Sequence, residues 1–412
     1  METVQENKQE VRTRVQHNRQ SQVRERIVNS NVDGTMLMYI IAESGALYAS
    51  TGASRHIEVG LRELSKTFNV TKTLFCNLPV ESLASSAGFR SGIRRKKSNI
   101  SKLLSWIKLL LRNHRQFLKY YKLVKNMRPA LIYERAGYLN YNGIIIARML
   151  RIPHFYEVNG IAAHDHEKYF PGVCNKLSFI LEKWAYTAST LGFYVGGIQH
   201  FFWLPKSKAL TIQNGIDETF IEPFAFHSNI AGKKLRIVFI GTPMHHHRLD
   251  LLVEALHNVD VSKFSMHFIG PDLSKLREKL PAELECTFYG PMTHQELAAC
   301  IGQFNIGIIP YALDYFSHVK LFMYGAAKLL VILPETKNFQ TIFDDSAVVF
   351  VRNGNATDIA EKLSKISADP SAFWCRGDRL HQIIRKNYTW EKIYADVTDS
   401  ILEKVPEVRH AY

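Results

Sequence analysis

The feature that most constrains the fold of this chain is a double series of short apolar runs that alternate with amphipathic segments. The first series contains six predicted strands, at residues 36–42, 70–76, 130–133, 154–158, 192–195 and 210–213, of which 36–42 is a continuous apolar run. Continuous apolar runs of this length are typical of parallel strands that are buried on both faces. Because these strands alternate with helices, the sequence predicts a doubly wound α/β domain.

The second series begins after residue 235. Its first three predicted strands, at residues 236–241, 265–270 and 286–290, all end in glycine. Ligands of open α/β sheets bind beyond the carboxyl ends of the strands, and glycine allows backbone N–H groups to approach a ligand closely. One strand-end glycine is more simply explained by a turn. Three in one domain predict a ligand crevice.

Chain length sets the number of domains. A chain of 412 residues is too long for one ordinary core and fits two domains. Residues 1–35 are polar and are predicted to be disordered or loosely helical. The remaining divisions predicted are a first doubly wound domain at 36–222, a linker at 223–234, a second doubly wound domain at 235–387, and a C-terminal helix and tail at 388–412.

The net charge of +14 is concentrated in one stretch. Residues 82–133 contain thirteen Lys or Arg and no Asp or Glu. Between residues 100 and 124 the basic residues alternate with apolar ones, which predicts one long basic amphipathic helix over about residues 94–126. Such helices lie in the interface of anionic membranes. The alternative is a helix that packs its apolar stripe on the sheet and leaves its charges solvated.

Other features restrict the partners and the compartment. No recognition-helix, RNA-binding or zinc motif accompanies the basic stretch, so nucleic acid is not expected as a partner. The five cysteines lie far apart without a CxxC pair, which predicts neither a metal site nor a disulfide framework. The sequence holds no apolar run long enough to span a membrane, and residues 1–26 do not resemble a signal peptide. We therefore expect a cytoplasmic protein, peripheral on the inner face of the membrane.

Short motifs follow one another along the chain in a recognisable order. They are Tyr133-Glu134-Arg135, Glu157-Val158-Asn159-Gly160, Asn214-Gly215-Ile216-Asp217, the segments 239–252, 288–297, 305–311 and 317–324, and Tyr388-Thr389-Trp390. Together these motifs resemble glycosyltransferase family 4, the group 1 glycosyltransferases of the GT-B fold. The resemblance implies two Rossmann-like domains that face each other across a cleft, with a nucleotide-sugar site in the C-terminal domain.

The resemblance also implies a chemistry for the donor site. A nucleotide-sugar loses its diphosphate as the glycosidic bond breaks, and the protein must neutralise the charge that develops there. Lys320 is the expected catalytic residue, with His247 or Arg248 reaching over from the first donor loop. The expected donor-binding residues are Gly241, Gly270, Gly290, Pro310, Tyr311, Ser317, His318, Val319 and Tyr324. Transfer would retain the anomeric configuration, and no metal or cofactor is expected beside the co-substrate.

The acceptor is expected to bind the first domain. The residues implied are Gly52, Ser54, His56, Glu157 and Asn159. Glu134 and Arg135 are either an ion pair at a strand end or substrate contacts. Residues 164–166, a His-Asp-His loop, are a weaker candidate for substrate contact.

Some positions depart from the family pattern. Met323 and Tyr315 stand where the family usually has glutamates, and Arg248 stands where glycine is usual. Each lost acceptor of a sugar hydroxyl should cost about 1–3 kcal/mol of binding. The leading hypothesis is a retaining transfer of sugar to a lipid-linked or cell-surface glycan precursor. The alternatives are a catalytically degenerate subunit and an interaction protein whose basic helix binds nucleic acid.

Overall fold

A computed structural model describes residues 34–43, 52–76, 98–170, 172–217, 220 and 234–409 of the chain. Most of the N-terminal segment predicted at 1–35, the small-residue loop before Gly52 and nearly all of the linker predicted at 223–234 lie outside these residues. Residues 94–97, the predicted start of the basic helix, also lie outside them.

The first half is built on a six-stranded parallel sheet. Its strands are β1 (Met36–Ile41), β2 (Asn69–Leu74), β3 (Leu131–Arg135), β4 (His154–Val158), β5 (Leu191–Val195) and β6 (Ala209–Ile212). They lie in the order β2-β1-β3-β4-β5-β6. Because the strand order reverses between β1 and β3, a crevice opens beyond the carboxyl ends of these two strands.

Seven helices surround this sheet along the described chain. They are α1 (Gly52–Leu64), α2 (Asn99–His114), α3 (Phe117–Met127), α4 (Asn142–Leu150), α5 (Ala162–His166), α6 (Val173–Ala188) and α7 (Ile198–Phe201). Polar caps and left-handed residues set several helix ends. Ser98 caps α2 by accepting a hydrogen bond from the Ser101 N–H, and α4 ends at Arg151 in the left-handed conformation.

The second half repeats the architecture with a different order. Its strands are β7 (Leu235–Ile240), β8 (Phe264–Ile269), β9 (Glu285–Phe288), β10 (Ile306–Ile308), β11 (Leu330–Pro334) and β12 (Val349–Val351). They lie in the order β12-β11-β10-β7-β8-β9 and are all parallel. The crevice of this sheet therefore lies between the ends of β7 and β10. Both predicted doubly wound domains are confirmed.

The helices of the second half are α8 (Leu249–Leu256), α9 (His294–Cys300), α10 (Val319–Ala326), α11 (Lys337–Ile342), α12 (Ala356–Ala368) and α13 (Ser371–Asn387). Thr293 and Glu296 form a reciprocal capping box at the start of α9. One turn of 3₁₀ helix, His245–His247, follows β7 and precedes α8.

The last long helix, α14 (Trp390–Lys404), returns to the first half, and α15 (Pro406–Arg409) follows it. Trp390 and Tyr394 are buried in one apolar cluster with Tyr39 of β1 and Tyr133 of β3. A short bridge supports this crossing: the Ile216 N–H donates to the Tyr388 carbonyl, and the Trp390 N–H donates to the Ile216 carbonyl. Two separated motifs of the sequence, residues 214–217 and 388–390, thus pair where the chain crosses between the halves, and we refer to this paired segment as the hinge.

The basic segment forms two helices, α2 and α3, and not the single helix predicted over about 94–126. The two helices bury their apolar residues in different places. Trp106 of α2 packs in a cluster with Tyr141 and Tyr156, whereas Tyr120 of α3 packs in another cluster with Phe75. Separate packing requires a change of direction, which occurs between His114 and Phe117. No helix in the described ranges is long and apolar enough to cross a membrane.

Candidate functional site

The crevice of the second sheet brings three predicted residues together. Gly241 follows β7 with a φ of +146°. A Cβ atom at Gly241 would lie 2.9 Å from Lys320 Nζ and 3.3 Å from His247 Cε1. Both side chains therefore converge on this strand end, and only a residue without a side chain leaves room for them.

Lys320 is the most unusual group in this crevice. It lies in the first turn of α10, is 9% exposed, and its ammonium has no hydrogen-bonding partner among the described residues. The ring of Phe239 lies 4.2 Å from Nζ and provides a cation–π contact. Burial lowers the pKa of Lys320 to about 7. A buried ammonium without a partner is costly, so an anion would be strongly favoured beside it.

Burial and the nearby Lys320 charge favour the neutral form of the histidines around Lys320. Burial, and then the nearby Lys320 charge, lower the pKa of His247 to about 3. Burial and Lys320 also lower the pKa of His318 far below its usual value. The His247 Nδ1–H donates to the Thr242 carbonyl at 2.6 Å. Its Nε2 therefore carries a lone pair and can accept a hydrogen bond or a proton.

The start of α10 adds a second attraction for an anion. His318 is the N-cap residue and provides no side-chain cap. The Leu321 N–H donates to the His318 carbonyl at 3.0 Å, which leaves the Val319 and Lys320 N–H groups at the open end of the helix. Ser317, just before it, is fixed by Asn214 of the hinge, whose N–H donates to Ser317 Oγ at 3.0 Å. With Val319 and Lys320 next in sequence, a helix N-terminus and a buried cation converge on one place.

The other predicted donor residues lie at varying distances from this centre. Gly270 is packed against the backbone of Gly241, and its N–H donates to the Gly290 carbonyl at 2.7 Å. Gly290 itself has open space where a Cβ would lie. Pro310 is buried after β10, and Tyr311 is half-buried at the same strand end.

Tyr324 was expected to contact the donor, but the structure places it in the core. Its side chain is fully buried, and its hydroxyl accepts a hydrogen bond from the Ile240 N–H at 2.9 Å. It also fills the space that a side chain at Gly307 would occupy. Tyr324 therefore holds the end of β7 in place from within the core.

The contacts of Arg248 are with surface residues and not with Lys320. It adopts the left-handed conformation, with φ +44°, and caps α8. This explains why the resembled family favours glycine here. Its guanidinium donates to both carboxylate oxygens of Asp250 and lies 5.8 Å from the ring of Tyr311. The structure brings His247 to Lys320 and directs Arg248 to a surface ion pair.

The two positions that lack the family's glutamates are both packed. Met323 is 4% exposed in the apolar cluster of the second half. Tyr315 is joined to His164 of the first half by a hydrogen bond of 3.1 Å. The Tyr315 carbonyl also accepts a hydrogen bond from the Gly197 N–H. Tyr315 thus contributes to the contact between the two halves.

Of the predicted acceptor residues, His56, Glu157 and Asn159 form one buried network. Arg135 donates to Glu157 Oε1 at 2.6 Å, and Asn159 donates to the same oxygen at 2.7 Å. Tyr133 donates to Glu157 Oε2 at 2.7 Å. Burial alone would raise the pKa of Glu157, but His56, Arg135 and these hydrogen bonds lower it to about 2. Glu157 and His56 are no more than 1% exposed. Glu157 ties the end of β4 to β3, and His56 of α1 lies behind it at 3.7 Å.

The structure gives Glu134 and Arg135 other partners than the ion pair that was one of the two predictions for them. Glu134 and Arg135 are not an ion pair with each other, because neighbouring strand residues point to opposite faces. Glu134 Oε2 lies 2.7 Å from His154 Nε2, and Arg135 binds Glu157 and Glu43. Gly52 begins α1, and Ser54 is half-buried in its first turn.

A cavity of about 570 Å³ lies at the crevice of the first sheet. It opens at the ends of β1, β3 and β4. Its polar lining includes Glu43, Arg135, Asn159, Asp165, His166 and Glu182. Asn159 is the only predicted acceptor residue in the described lining. The sequence marked Asp165 and His166 only as part of a polar loop that was a weaker candidate for substrate contact. No sequence pattern pointed to Glu182.

Burial dominates the chemistry of the acids in this cavity. It raises the pKa of Asp165 to about 6, with the nearby Glu43 charge adding to the effect. It raises the pKa of Glu182 to about 8, although the Ala163 N–H donates to that carboxyl at 2.8 Å. Tyr138 and Tyr186 also line the cavity. Carboxyl groups, amides and tyrosine rings suit a polyhydroxyl ligand with a flat apolar face.

Known proteins share this architecture. Residues 234–369 match the family model described as glycosyl transferases group 1, whereas no curated protein matches the chain significantly in sequence. The chain resembles HepE from Anabaena, solved with UDP and glucose, with a TM-score of 0.67 and 12% identity over 89% of this chain and 100% of that one. It also resembles sucrose-phosphate synthase from Thermosynechococcus elongatus (TM-score 0.66, 14% identity, 90% and 100% coverage). A third similar structure is the lipopolysaccharide outer core galactosyltransferase WaaB (TM-score 0.66, 14% identity, 90% and 100% coverage).

At these identities the likeness to solved structures establishes the fold. Two parallel six-stranded sheets are the GT-B arrangement that the motifs implied, and the return of the C-terminal helix to the first half is an addition from the structure. The family match covers the second sheet and includes Gly241, His247 and Lys320. The chain is therefore a two-domain GT-B protein whose second domain matches the group 1 glycosyl transferases.

Proposed function

We propose that this protein is a glycosyltransferase of family 4 type that moves a sugar from a nucleoside-diphosphate sugar to a lipid-linked or cell-surface glycan precursor. The observation that carries the proposal is the buried ammonium of Lys320 at the end of β7, which has no hydrogen-bonding partner in the part of the chain that the structure describes. A diphosphate would supply the negative charge that this ammonium lacks. HepE, which has the same fold, was crystallised in complex with UDP, and this supports a nucleotide as the ligand here.

The proposed reaction uses the groups at both crevices. The bond between the anomeric carbon and the diphosphate oxygen breaks, and Lys320 together with the N-terminus of α10 stabilises the charge on the departing oxygen. The acceptor hydroxyl forms the new bond on the same face of the sugar, and its proton passes to the departing diphosphate. His247 Nε2, which carries a lone pair, is an alternative proton acceptor. The configuration is retained, as the resemblance to family 4 implies, and the step involves no metal or cofactor.

The acceptor would bind in the cavity of the first sheet. Asn159, Asp165 and Glu182 offer hydrogen-bonding groups there, and Tyr138 and Tyr186 offer ring faces. Glu157 and His56 would act from behind by fixing Arg135 and Asn159. This assigns positioning roles to residues that the motifs suggested as direct contacts.

The basic helices α2 and α3 support a location at an anionic membrane. Together they hold no acidic residue, and several of their apolar side chains are exposed, among them Ile100, Leu104, Leu111 and Leu118. Each basic residue near such a surface is worth about 1 kcal/mol of attraction. We propose a peripheral protein on the cytoplasmic face of the membrane.

Donor hydrolysis and calorimetric binding test the proposed reaction. Lys320→Ala should abolish binding of a nucleoside diphosphate and lower hydrolysis of its sugar by roughly 100-fold or more, because one charge-stabilising donor of this kind is typically worth that much. Lys365→Ala, on the exposed surface of α12, is the matched control. Equal activity of Lys320→Ala and wild type would overturn the proposal, and the anomeric signal of the product decides retention.

A second candidate function is a catalytically degenerate GT-B subunit. The packing of Met323 and Tyr315 favours it, since neither position supplies a carboxylate to the donor. This candidate predicts donor binding without turnover when acceptors are supplied. Hydrolysis that depends on Lys320 would exclude it.

A further inference from the structure

An exposed apolar stripe lies on α6, outside the basic segment. Four residues share one face of this helix and are between 38% and 67% exposed: Val173, Leu177, Ile180 and Trp184. They recur at the spacing of one helical face. The opposite face of α6 is buried in the first half, through Cys174, Ala185 and Tyr186. The helix is therefore apolar on both sides, although only one side is covered.

Helix α6 packs against α2, which carries a similar stripe. The Trp106 indole N–H of α2 donates to Ser178 Oγ of α6 at 3.0 Å, so the two helices pack together. The exposed apolar residues of α2 that repeat the spacing found on α6 are Ile100, Leu104, Ile107 and Leu111. Two neighbouring helices thus expose apolar stripes of the same period. Exposed apolar surface on two packed helices is typical of an interaction site.

The charges beside both stripes are of one sign. The exposed charged residues of the two helices are Lys108, Arg112, Lys176 and Lys183. Glu182, the only acid on either helix, is 4% exposed and lines the cavity of the first sheet. Apolar side chains flanked only by lysine and arginine complement acyl chains beneath anionic headgroups.

The same two helices line the cavity proposed for the acceptor. Leu109 and Arg112 of α2 lie in its wall, as do Glu182 and Tyr186 of α6. We infer that α6 and α2 together form a bilayer-docking face that holds the cavity at an anionic membrane surface. Delivery of a lipid-linked acceptor through this face rests on the proposed function, whereas the bilayer contact of α6 does not.

Vesicle flotation tests the role of α6. The full-length protein is floated with phosphatidylcholine vesicles that contain or lack phosphatidylglycerol. Val173→Asp/Ile180→Asp should lower the partition coefficient onto anionic vesicles by roughly tenfold or more, because it removes apolar contact and adds negative charge. The matched control is Met149→Asp, which places the same charge at a residue of α4 that is 57% exposed. Wild-type flotation of the double variant would overturn the inference.

Fluorescence and activity separate the possible failures. Vesicles should shift the wild-type tryptophan emission to the blue, and Trp184→Phe should remove most of that shift. If the double variant floats normally but sedimentation shows a wild-type dimer that becomes monomeric, the face is a subunit interface and the inference falls. If the double variant loses flotation while neither protein hydrolyses any donor, the docking face stands and the proposed function fails.

Discussion

Lys320→Met tests whether Lys320 is held in the fold at the expense of stability. Burial without an acidic partner lowers its pKa from 10.5 to about 7. At 1.36 kcal/mol per pKa unit, this difference corresponds to roughly 5 kcal/mol of cost for keeping the ammonium out of water. The cation–π contact with Phe239 is worth about 1–2 kcal/mol and is lost in the variant. Methionine fills a similar volume without charge, so we expect its free energy of unfolding to exceed that of wild type by roughly 3–4 kcal/mol below pH 7, the burial cost less the lost contact with Phe239.

The pH dependence of this difference has a defined sign. Below pH 7 the lysine is charged in both the folded and the unfolded chain, so the full cost of burial acts on the wild type. Between pH 7 and 10.5 the folded protein releases this proton while the unfolded chain keeps it. The unfolded state then binds more protons, and wild-type stability rises with pH. The advantage of Lys320→Met should therefore shrink across this window and vanish near its upper end.

Thermal unfolding at about pH 6 and about pH 9 measures the effect, with Lys365→Met as the exposed control. Each kcal/mol should move the transition by about 2–4 °C for a domain of this size. A saturating nucleoside diphosphate should raise the melting temperature of the wild type and leave that of Lys320→Met unchanged. The reasoning would be refuted if Lys320→Met were less stable than wild type at about pH 6. It would also be refuted if the stability difference between the two proteins were the same at both pH values.

Other substitutions probe the remaining features of the two crevices. Gly270→Ala should cost about 3 kcal/mol or more in urea unfolding, because its Cβ would collide with the Gly241 carbonyl; Gly290→Ala, also at positive φ but with open space, should cost about 1 kcal/mol. Burial raises the pKa of Glu182 from 4.5 to about 8, so wild-type stability falls as pH rises between these values; Glu182→Gln should be about 1–3 kcal/mol more stable at about pH 8 and equal near pH 4.5. Arg248→Gly relieves a left-handed backbone and loses only a surface ion pair, so stability should change by less than about 1 kcal/mol. Its donor hydrolysis should match wild type, and a loss of tenfold or more would show that Arg248 contacts the donor.

The strands and their order of appearance were predictable, because buried parallel strands leave an apolar run that does not depend on distant partners. Residues 154–158, for example, form β4 with the predicted bounds. The convergence of Gly241, His247 and Lys320 followed from motif order, since residues after neighbouring parallel strands meet at one edge of the sheet. The position of the donor crevice was therefore predictable from local sequence patterns.

Contacts between distant segments were not predictable from the same patterns. Trp390 was recognised only as part of a motif at the start of the last helix, and Tyr394 not at all, yet both complete the core of the first half. Glu157 was predicted to contact substrate because it lies in a motif, whereas Tyr133 and Arg135 of β3 and Tyr394 of α14 surround it. An apolar residue that packs and one that is exposed look alike in a sequence, so the stripe on α6 could not be recognised.

The loss of both family glutamates leads to a prediction about the donor itself. Met323 lies one turn after Lys320 and is buried, and Tyr315 is engaged with His164 of the first half. Without a carboxylate at either position, binding should derive mainly from the diphosphate. Wild type should then bind UDP and UDP-glucose within about threefold of each other, whereas each sugar hydroxyl received by a carboxylate would add about 1–3 kcal/mol, or roughly 5- to 150-fold.

Met323→Glu should restore part of the missing preference, because its carboxylate would lie three residues from Lys320 on the same face of α10. Calorimetry with UDP and UDP-glucose on wild type and this variant measures both affinities at one salt concentration. We expect the ratio to shift toward the sugar-bearing ligand by about fivefold or more in the variant. A wild-type preference of more than about tenfold for UDP-glucose would mean that other groups receive the sugar hydroxyls. The packed residues at 315 and 323 would then not limit donor recognition.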